Sequence, residues 1–286
     1  MPGDWPELPY EPWRDTRDTL HMYLQIVGKV RLALAPMEPQ WGQVPLYVTA
    51  RGLNTSPIPH ENGVFDIDVD LIEHAVSVRT AKGAVERIPL EPRSVAEFYG
   101  LLTAALDTAG VPVRITEKPS EVPDPIPFPE DLEHASYDPG PVNTFFRALA
   151  SVDAVMKEHR ARFLGRVTPV QFFWGTFDLA YTRFSGRPAE PPPNADVIMR
   201  NSANAEEVCA GFWPGDERFT EAAFFSYTYP RPAGIEDRAD GWIEEMGLFV
   251  LPYDAVRTAA DPRRTLLAFL ESTYRAAGWD PALEAE

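Results

Sequence analysis

With 286 residues, 44% of them hydrophobic, the chain can build a sizeable core as one large domain or two smaller ones, and no apolar run approaches the roughly 20 residues of a membrane span. A net charge of -17 weighs against nucleic acid, a polyanion held mainly by Lys and Arg, and equally against an anionic membrane surface. The single cysteine, Cys209, excludes an intrachain disulfide and a thiolate metal cluster, and reads as a small buried hydrophobe.

The chain opens on Met1-Pro-Gly-Asp-Trp-Pro, without the basic-then-apolar order of a secretory signal, so a cytoplasmic location is expected. Leu20, Tyr23, Leu24, Val27, Val30 and Leu34 form one apolar stripe and predict a helix over 16–35, capped by Asp15, Thr16 or Asp18 and stopped by Pro36. Over 44–52, alternation puts Val44, Leu46, Val48 and Ala50 on one strand face and Tyr47, Thr49 and Arg51 on the other. A strand over 64–71 turns Phe65, Ile67, Val69 and Leu71 inward and Asp66, Asp68 and Asp70 outward. The aspartates do not make a calcium loop, since Leu71 stands where that loop needs glycine and Ser77 where it needs glutamate. Val76 and Val78 continue a hairpin, and Lys82-Gly83 turns into a strand over 85–90. Ser94-x-x-Glu97 is a capping box; with Val95, Phe98, Leu102, Leu106 and Ala109 as buried face and Gly110 as stop, it predicts a helix over 94–109.

The chain's 30 prolines, about twice the usual share of ~5%, cluster over 111–141, 187–194 and 229–232. The first cluster reads as a semi-rigid strap, 118–140, joining a first lobe (1–117) to a second (141–286), or the whole forms one compact domain. Within it, His134 reads as part of an anchor made through Tyr137 and Asp138. Pro141, Val142, Phe145, Phe146, Leu149, Val152 and Met156 predict a helix over 141–164 that Gly165 stops. Over 167–184, Trp174, Thr176 and Asp178 share one strand face; the competing reading is helical, because Phe173, Phe177, Tyr181 and Phe184 fit near-helical spacing. Trp213-Pro214-Gly215 is a turn, 222–229 and 247–251 are strands, and Asp261-Pro262 opens a last helix carrying Leu266, Leu267, Leu270 and Tyr274. Helices bounding runs of adjacent strands imply antiparallel sheet and an α+β class. The helix–strands–helix order occurs twice, and both closing helices end alike, at Thr108-Ala-Gly110 and Ala276-Ala-Gly278, so two pseudo-repeated lobes are expected.

An aromatic-x-Thr-x-charge set occurs once per lobe, Tyr47/Thr49/Arg51 and Trp174/Thr176/Asp178. Lobes packed about a pseudo-twofold axis would bring Arg51 near Asp178 in a polar small-ligand pocket; otherwise these are solvent-facing residues. Glu206-Glu207 is either a pair of catalytic carboxylates or a polar loop. Among His21, His60, His74, His134 and His159, no two have the helical spacing of a metal pair, and no metal or cofactor is expected. His21, beside the apolar stripe, reads as a hydrogen-bonded, partly buried histidine rather than a base, and is kept as a ligand candidate. There is no nucleophile elbow, phosphate loop or dinucleotide fingerprint.

Asp18-Thr-Leu-His21-Met, Val44-Pro-Leu-Tyr-Val-Thr-Ala-Arg-Gly52, Asp124-Pro-Ile-Pro127, Glu133-His-Ala-Ser-Tyr-Asp138, Phe172-Phe-Trp-Gly175, Thr182-Arg-Phe-Ser-Gly-Arg187 and Gly211-Phe-Trp-Pro-Gly215 occur in order. Together they resemble a bacterial family of uncharacterised proteins, a domain of unknown function spanning nearly the whole chain. The resemblance implies histidine elsewhere in the family where this chain has Gln40, Gln171 and Ala205, with Glu206 remaining beside the third. Amide and methyl side chains neither relay protons nor replace imidazole on a metal, so a histidine-based activity is not expected here. The leading expectation is a small-ligand-binding protein with a polar, aromatic cleft between two lobes. The alternatives are a hydrolase-like enzyme using carboxylates and Arg51, and an interaction module presenting proline and aromatic segments.

Overall fold

The computed structural model describes residues 4–283. Helix α1 (Arg14–Leu34) is entered through a 3-10 turn, Glu11–Trp13, and its N-cap is Trp13, which makes no side-chain capping bond. The expected caps have other work. Thr16 Oγ1 accepts the backbone N–H of Asp138 (3.1 Å), and Asp15 pairs with Arg14 (3.0 Å).

The first sheet comprises β1 (Tyr47–Val48), β2 (Gly52–Asn54), β3 (Ile58–His60), β4 (Gly63–Asp70), β5 (Ala75–Thr80) and β6 (Val85–Pro89). Its order is β1-β2-β4-β5-β6, with β3 also paired to β4. Alternation along β4 works as expected: Phe65, Ile67, Val69 and Leu71 are buried. Asp68 is the exception on the outer face, covered by Arg79 at 3.0 Å. Helix α2 (Val95–Thr108) has its cap in place, Ser94 Oγ accepting the Glu97 N–H at 3.1 Å.

Past the strap, α3 (Pro139–Ala161) starts two residues before the expected position because Asp138 caps it, accepting the Gly140 N–H at 2.9 Å. The second sheet follows: β7 (Gln171–Phe173), β8 (Asp178–Pro188), then helix α4 (Val197–Ser202), β9 (Ala205–Trp213), β10 (Ala223–Tyr229), β11 (Trp242–Ile243) and β12 (Leu248–Pro252). Its order is β11-β12-β10-β9-β8-β7. Helices α5 (Tyr253–Arg257) and α6 (Pro262–Ala276) close the chain, the latter capped by Asp261. Both sheets are antiparallel throughout, and the class is α+β with two six-stranded sheets among the described residues. No described helix is long and apolar enough to cross a membrane.

Two expected strands are hairpins instead. Thr49 Oγ1 accepts the backbone N–H groups of Arg51 (3.2 Å) and Gly52 (3.1 Å), which folds 49–52 into the turn between β1 and β2. Residues 174–177 form the turn between β7 and β8, with Phe177 at φ 60°, so neither one long strand nor a helix spans 167–184. The hairpins lie edge to edge: Leu46 and Phe172 exchange two backbone hydrogen bonds, of 2.9 and 2.8 Å, and join the two sheets.

The apolar stripe of α1 is only part of its burial. From Thr19 to Arg31 every residue is buried, and Arg17, His21, Gln25 and Lys29 form a second, polar stripe at four-residue spacing. Lys29 Nζ donates to Thr116 Oγ1 (3.1 Å) and Ser120 Oγ (2.9 Å). The Gln25 amide donates to the Ser120 carbonyl (2.7 Å) and accepts its N–H (3.0 Å). Helix α1 is thereby clamped between the strap and the β7–β8 hairpin. At Gly28 the approach is so close that a Cβ would stand 2.2 Å from the Trp174 indole, so only glycine fits.

Candidate functional site

Tyr181 on β8 faces α3, where its hydroxyl meets His159 Nδ1 at 2.5 Å. Its neighbours in the pleat face the other way, and across the ladder Phe225 opposes Gly211 and Val250 while Tyr227 opposes Cys209. This second face floors a cavity of about 440 Å³ with Trp213, Phe225, Tyr227, Leu248 and Val250. The N-terminal part of α1 supplies one wall through Arg17, Asp18 and His21, and the strap supplies another through Pro119, Glu121–Ile126, Asp131 and His134. The proline-rich segment is therefore a wall of the cavity.

The polar groups are held in distinct ways. His21 Nε2 donates to the carbonyls of Trp174 (2.9 Å) and Gly175 (3.1 Å). Burial and, second, the Arg17 charge push its imidazole down to about 3, so it is neutral. Asp178 receives the Thr176 hydroxyl, but burial pushes its carboxyl up to about 7, with repulsion from Glu121 adding to the rise. Glu121 is an exposed residue that lines the cavity, and partial desolvation of its carboxyl there, then the Asp196 charge, raises it too. Its carboxylate lies against the turn: a Cβ on Gly175 would be 2.2 Å from Glu121 Oε2. Arg17 is buried, lies 4.9 Å from the Phe177 ring centroid and donates to Asp18 at 2.8 Å, while its Nε has no partner among the described residues. Asp131, 1% exposed, accepts the N–H groups of Glu133 (3.2 Å) and His134 (3.1 Å) on one oxygen and His134 Nδ1–H (2.8 Å) on the other.

Of the residues singled out in the sequence, the structure brings His21, Thr176 and Asp178 to this cavity. Trp174 stands behind it, buried, with Nε1 donating to the Val44 carbonyl at 2.9 Å. The partner triplet does not arrive. Arg51 is at a turn, held by Asp70 (2.6 Å) and Glu73 (3.4 Å) rather than by Asp178, and Thr49 is spent on the turn itself. Tyr47 lines a separate pocket of about 170 Å³ with Lys157 and Arg160. Glu206 is engaged by Arg187 (2.6 Å) and Ser185. Glu207 alternates to the other face of β9, where burial pushes its carboxyl up to about 8, so the two glutamates are no catalytic pair. Cys209 is buried, its thiol pushed up to about 12 by that burial.

Arg17, Glu121, Asp131 and His134 were not legible as site residues. The Asp131-Leu-Glu-His134 spacing and the polar set at 17, 21, 25 and 29 are the signals that could have found them. Gln40 donates to Asn204, beside Ala205, at 2.6 Å, and the Gln171 amide reaches the Gly42 carbonyl at 3.4 Å; none of positions 40, 171 or 205 lines the cavity. Among the described residues no group of three or more His, Cys, Asp or Glu is disposed to hold a metal ion.

Residues 5–284 match the model of a family described as a family of unknown function, DUF5996, and the chain belongs to that family. Nothing among the curated proteins or the solved structures matches it.

Proposed function

We propose that this member of a family without an assigned activity binds a small organic molecule in the cavity between α1, the strap and the open face of the second sheet. The supporting observation is the combination of an aromatic floor with convergent polar groups in a volume of about 440 Å³, within the roughly 300–1,000 Å³ usual for ligand sites. With it goes the division into a first lobe to 117, a strap over 118–140 and a second lobe from 141, since the cavity has a wall from each. Partners other than a small molecule are not part of the reading. The charge of -17 supports leaving nucleic acid out, and a cytoplasmic location is kept with it.

A thermal-shift screen of small metabolites is the test. A bound molecule at about 100 times its Kd stabilises the native state by about 2.7 kcal/mol and raises Tm by several degrees. Leu248→Trp, which fills the floor, should abolish that shift. A hit that stabilises wild type and Leu248→Trp equally binds elsewhere and removes the reading.

A hydrolase-like, acid–base enzyme is the second reading, favoured by Asp131 and His134. A buried carboxylate that takes Nδ1–H fixes the imidazole tautomer and leaves Nε2, on a residue lining the cavity, as the basic nitrogen. If a ligand is turned over, His134→Gln should keep its binding and lose about 10²–10⁴ of the rate. Unchanged turnover eliminates this reading.

A further inference from the structure

We propose that the ligand carries an organic ammonium group, held by Asp178 and Glu121 against the aromatic floor. The proposal rests on the cavity reading above and adds the chemical class of what enters. It follows from an inventory of charge around the cavity. The lining guanidinium groups already have their own carboxylates, Arg17 with Asp18 at 2.8 Å and Arg218 with Asp216 at 3.1 Å, and His134 Nδ1 is taken up by Asp131 at 2.8 Å. His21 is uncharged and spends its N–H on two backbone carbonyls.

The carboxylates, in contrast, are in excess. Asp178 is 8% exposed, and its donors are the Thr176 hydroxyl and its own backbone N–H, with no Lys or Arg in ion-pair reach among the described residues. Glu121 receives no hydrogen bond from the described residues and is close enough to Asp178 to repel it. A carboxyl buried without a cation, as Asp178 is, meets the cost of burial by holding its proton, and a cationic guest takes the place of that proton with Glu121 beside it at the cavity. Gly175 leaves room for the Glu121 carboxylate to lie against the β7–β8 turn, on the side of Asp178.

The remaining surface suits the same guest. Trp213 stacks on Phe219 with centroids 5.3 Å apart, and Phe225 and Tyr227 complete the floor. Aromatic rings attract organic cations through their quadrupoles, most strongly when water is excluded. A carboxylate ligand meets guanidinium groups whose charge is already matched by Asp18 and Asp216, and a bare divalent ion lacks the three ligating side chains it needs among the described residues. An ammonium offers its N–H donors to the two carboxylates and its organic part to the rings.

The experiment is calorimetric titration of the full chain with benzylamine and putrescine, set against benzyl alcohol, benzoate and MgCl₂. The amines should bind about tenfold or more tightly than benzyl alcohol, the scale of a charge-assisted hydrogen bond, and benzoate should not bind. Asp178→Asn and Glu121→Gln should each lower amine affinity by about tenfold while leaving benzyl alcohol unchanged, which also reports an intact cavity. Because the ammonium displaces the proton Asp178 retains up to about 7, amine affinity should be higher at pH 8 than at pH 5.5, with heats that depend on the buffer. Benzyl alcohol or benzoate binding as well as the amines overturns the ammonium class and leaves the cavity reading standing. Amine affinity unmoved in both variants, or Mg²⁺ displacing the amines, likewise overturns the class. Silence of every probe overturns both.

Discussion

Asp178 keeps its proton up to about 7 while His21 takes none until about 3, and burial is the first cause of both. Their consequences for stability have opposite signs. Asp178 binds its proton more tightly folded than unfolded, so its contribution is complete below about 3.8 and is lost as pH rises toward 7. Glu207, raised to about 8 by its own burial, extends that loss through neutrality. His21 resists protonation when folded, so its contribution is complete above 6.5 and falls away as pH drops toward about 3; His159, lowered to about 4 mainly by burial, adds to this acid limb. Asp178→Asn removes only the first effect and keeps an acceptor for the Thr176 hydroxyl. Its stability relative to wild type should grow by up to about 3 kcal/mol between pH 5 and pH 8, since each tenfold gain in proton affinity on folding is worth about 1.4 kcal/mol. Urea midpoints across that range measure it, and a constant gap would show that Asp178 is not the titrating group.

Helix α1 turns these single groups into a device that sets the positions of other elements. Its polar stripe is a ruler: Lys29 and Gln25 fix the strap, His21 fixes the β7–β8 turn, and Arg17 is left at the cavity. Gln25→Ala deletes both bonds to Ser120, so amide exchange over 116–121 should speed up while β4 and β5 stay protected. Equal protection in mutant and wild type would mean that proline stiffness alone holds the strap. At α2 the consequence is local. Ser94→Ala should cost about 1 kcal/mol of unfolding free energy, read by urea denaturation, through the loss of one capping bond. The same contrast explains what could be read in the sequence. Helices α2 and α6 and strand β4 carry their own signals in caps, stops and a period-two face, and they formed where expected. The Tyr47 and Trp174 tracts alternate like strands, but the threonine that fits a strand face also closes a turn, and the turn won. Arg17 and His134 gained their roles from partners in other elements, which no local pattern encodes.

At the scale of the whole molecule, the two sheets have no independent interiors. The hydrophobic core is continuous through α1, both sheets, α3 and α6. Phe172 sits where the two sheets join: fully buried, bonded to Leu46 through two backbone hydrogen bonds, and packed edge-on against Phe145 and Phe177 at centroid distances of 6.5 and 5.3 Å. Helix α1 belongs to the first half in sequence, yet part of its buried surface is covered by the second half's Trp174 and by the strap. Separating the halves would expose that surface along with the polar stripe now satisfied by the strap and the β7–β8 turn. The halves 1–117 and 141–286, expressed alone, should therefore fail to give a cooperative unfolding transition. Phe172→Ala in the full chain should cost about 3–5 kcal/mol, the usual toll of an emptied aromatic site. Because the cavity it leaves lies at the junction, amides of β4 and β5 in one sheet and of β9 and β10 in the other should lose the same free energy of protection. Loss confined to the second sheet would mean that the halves are separable units placed side by side, and the cavity between them would then depend on their docking rather than on one fold.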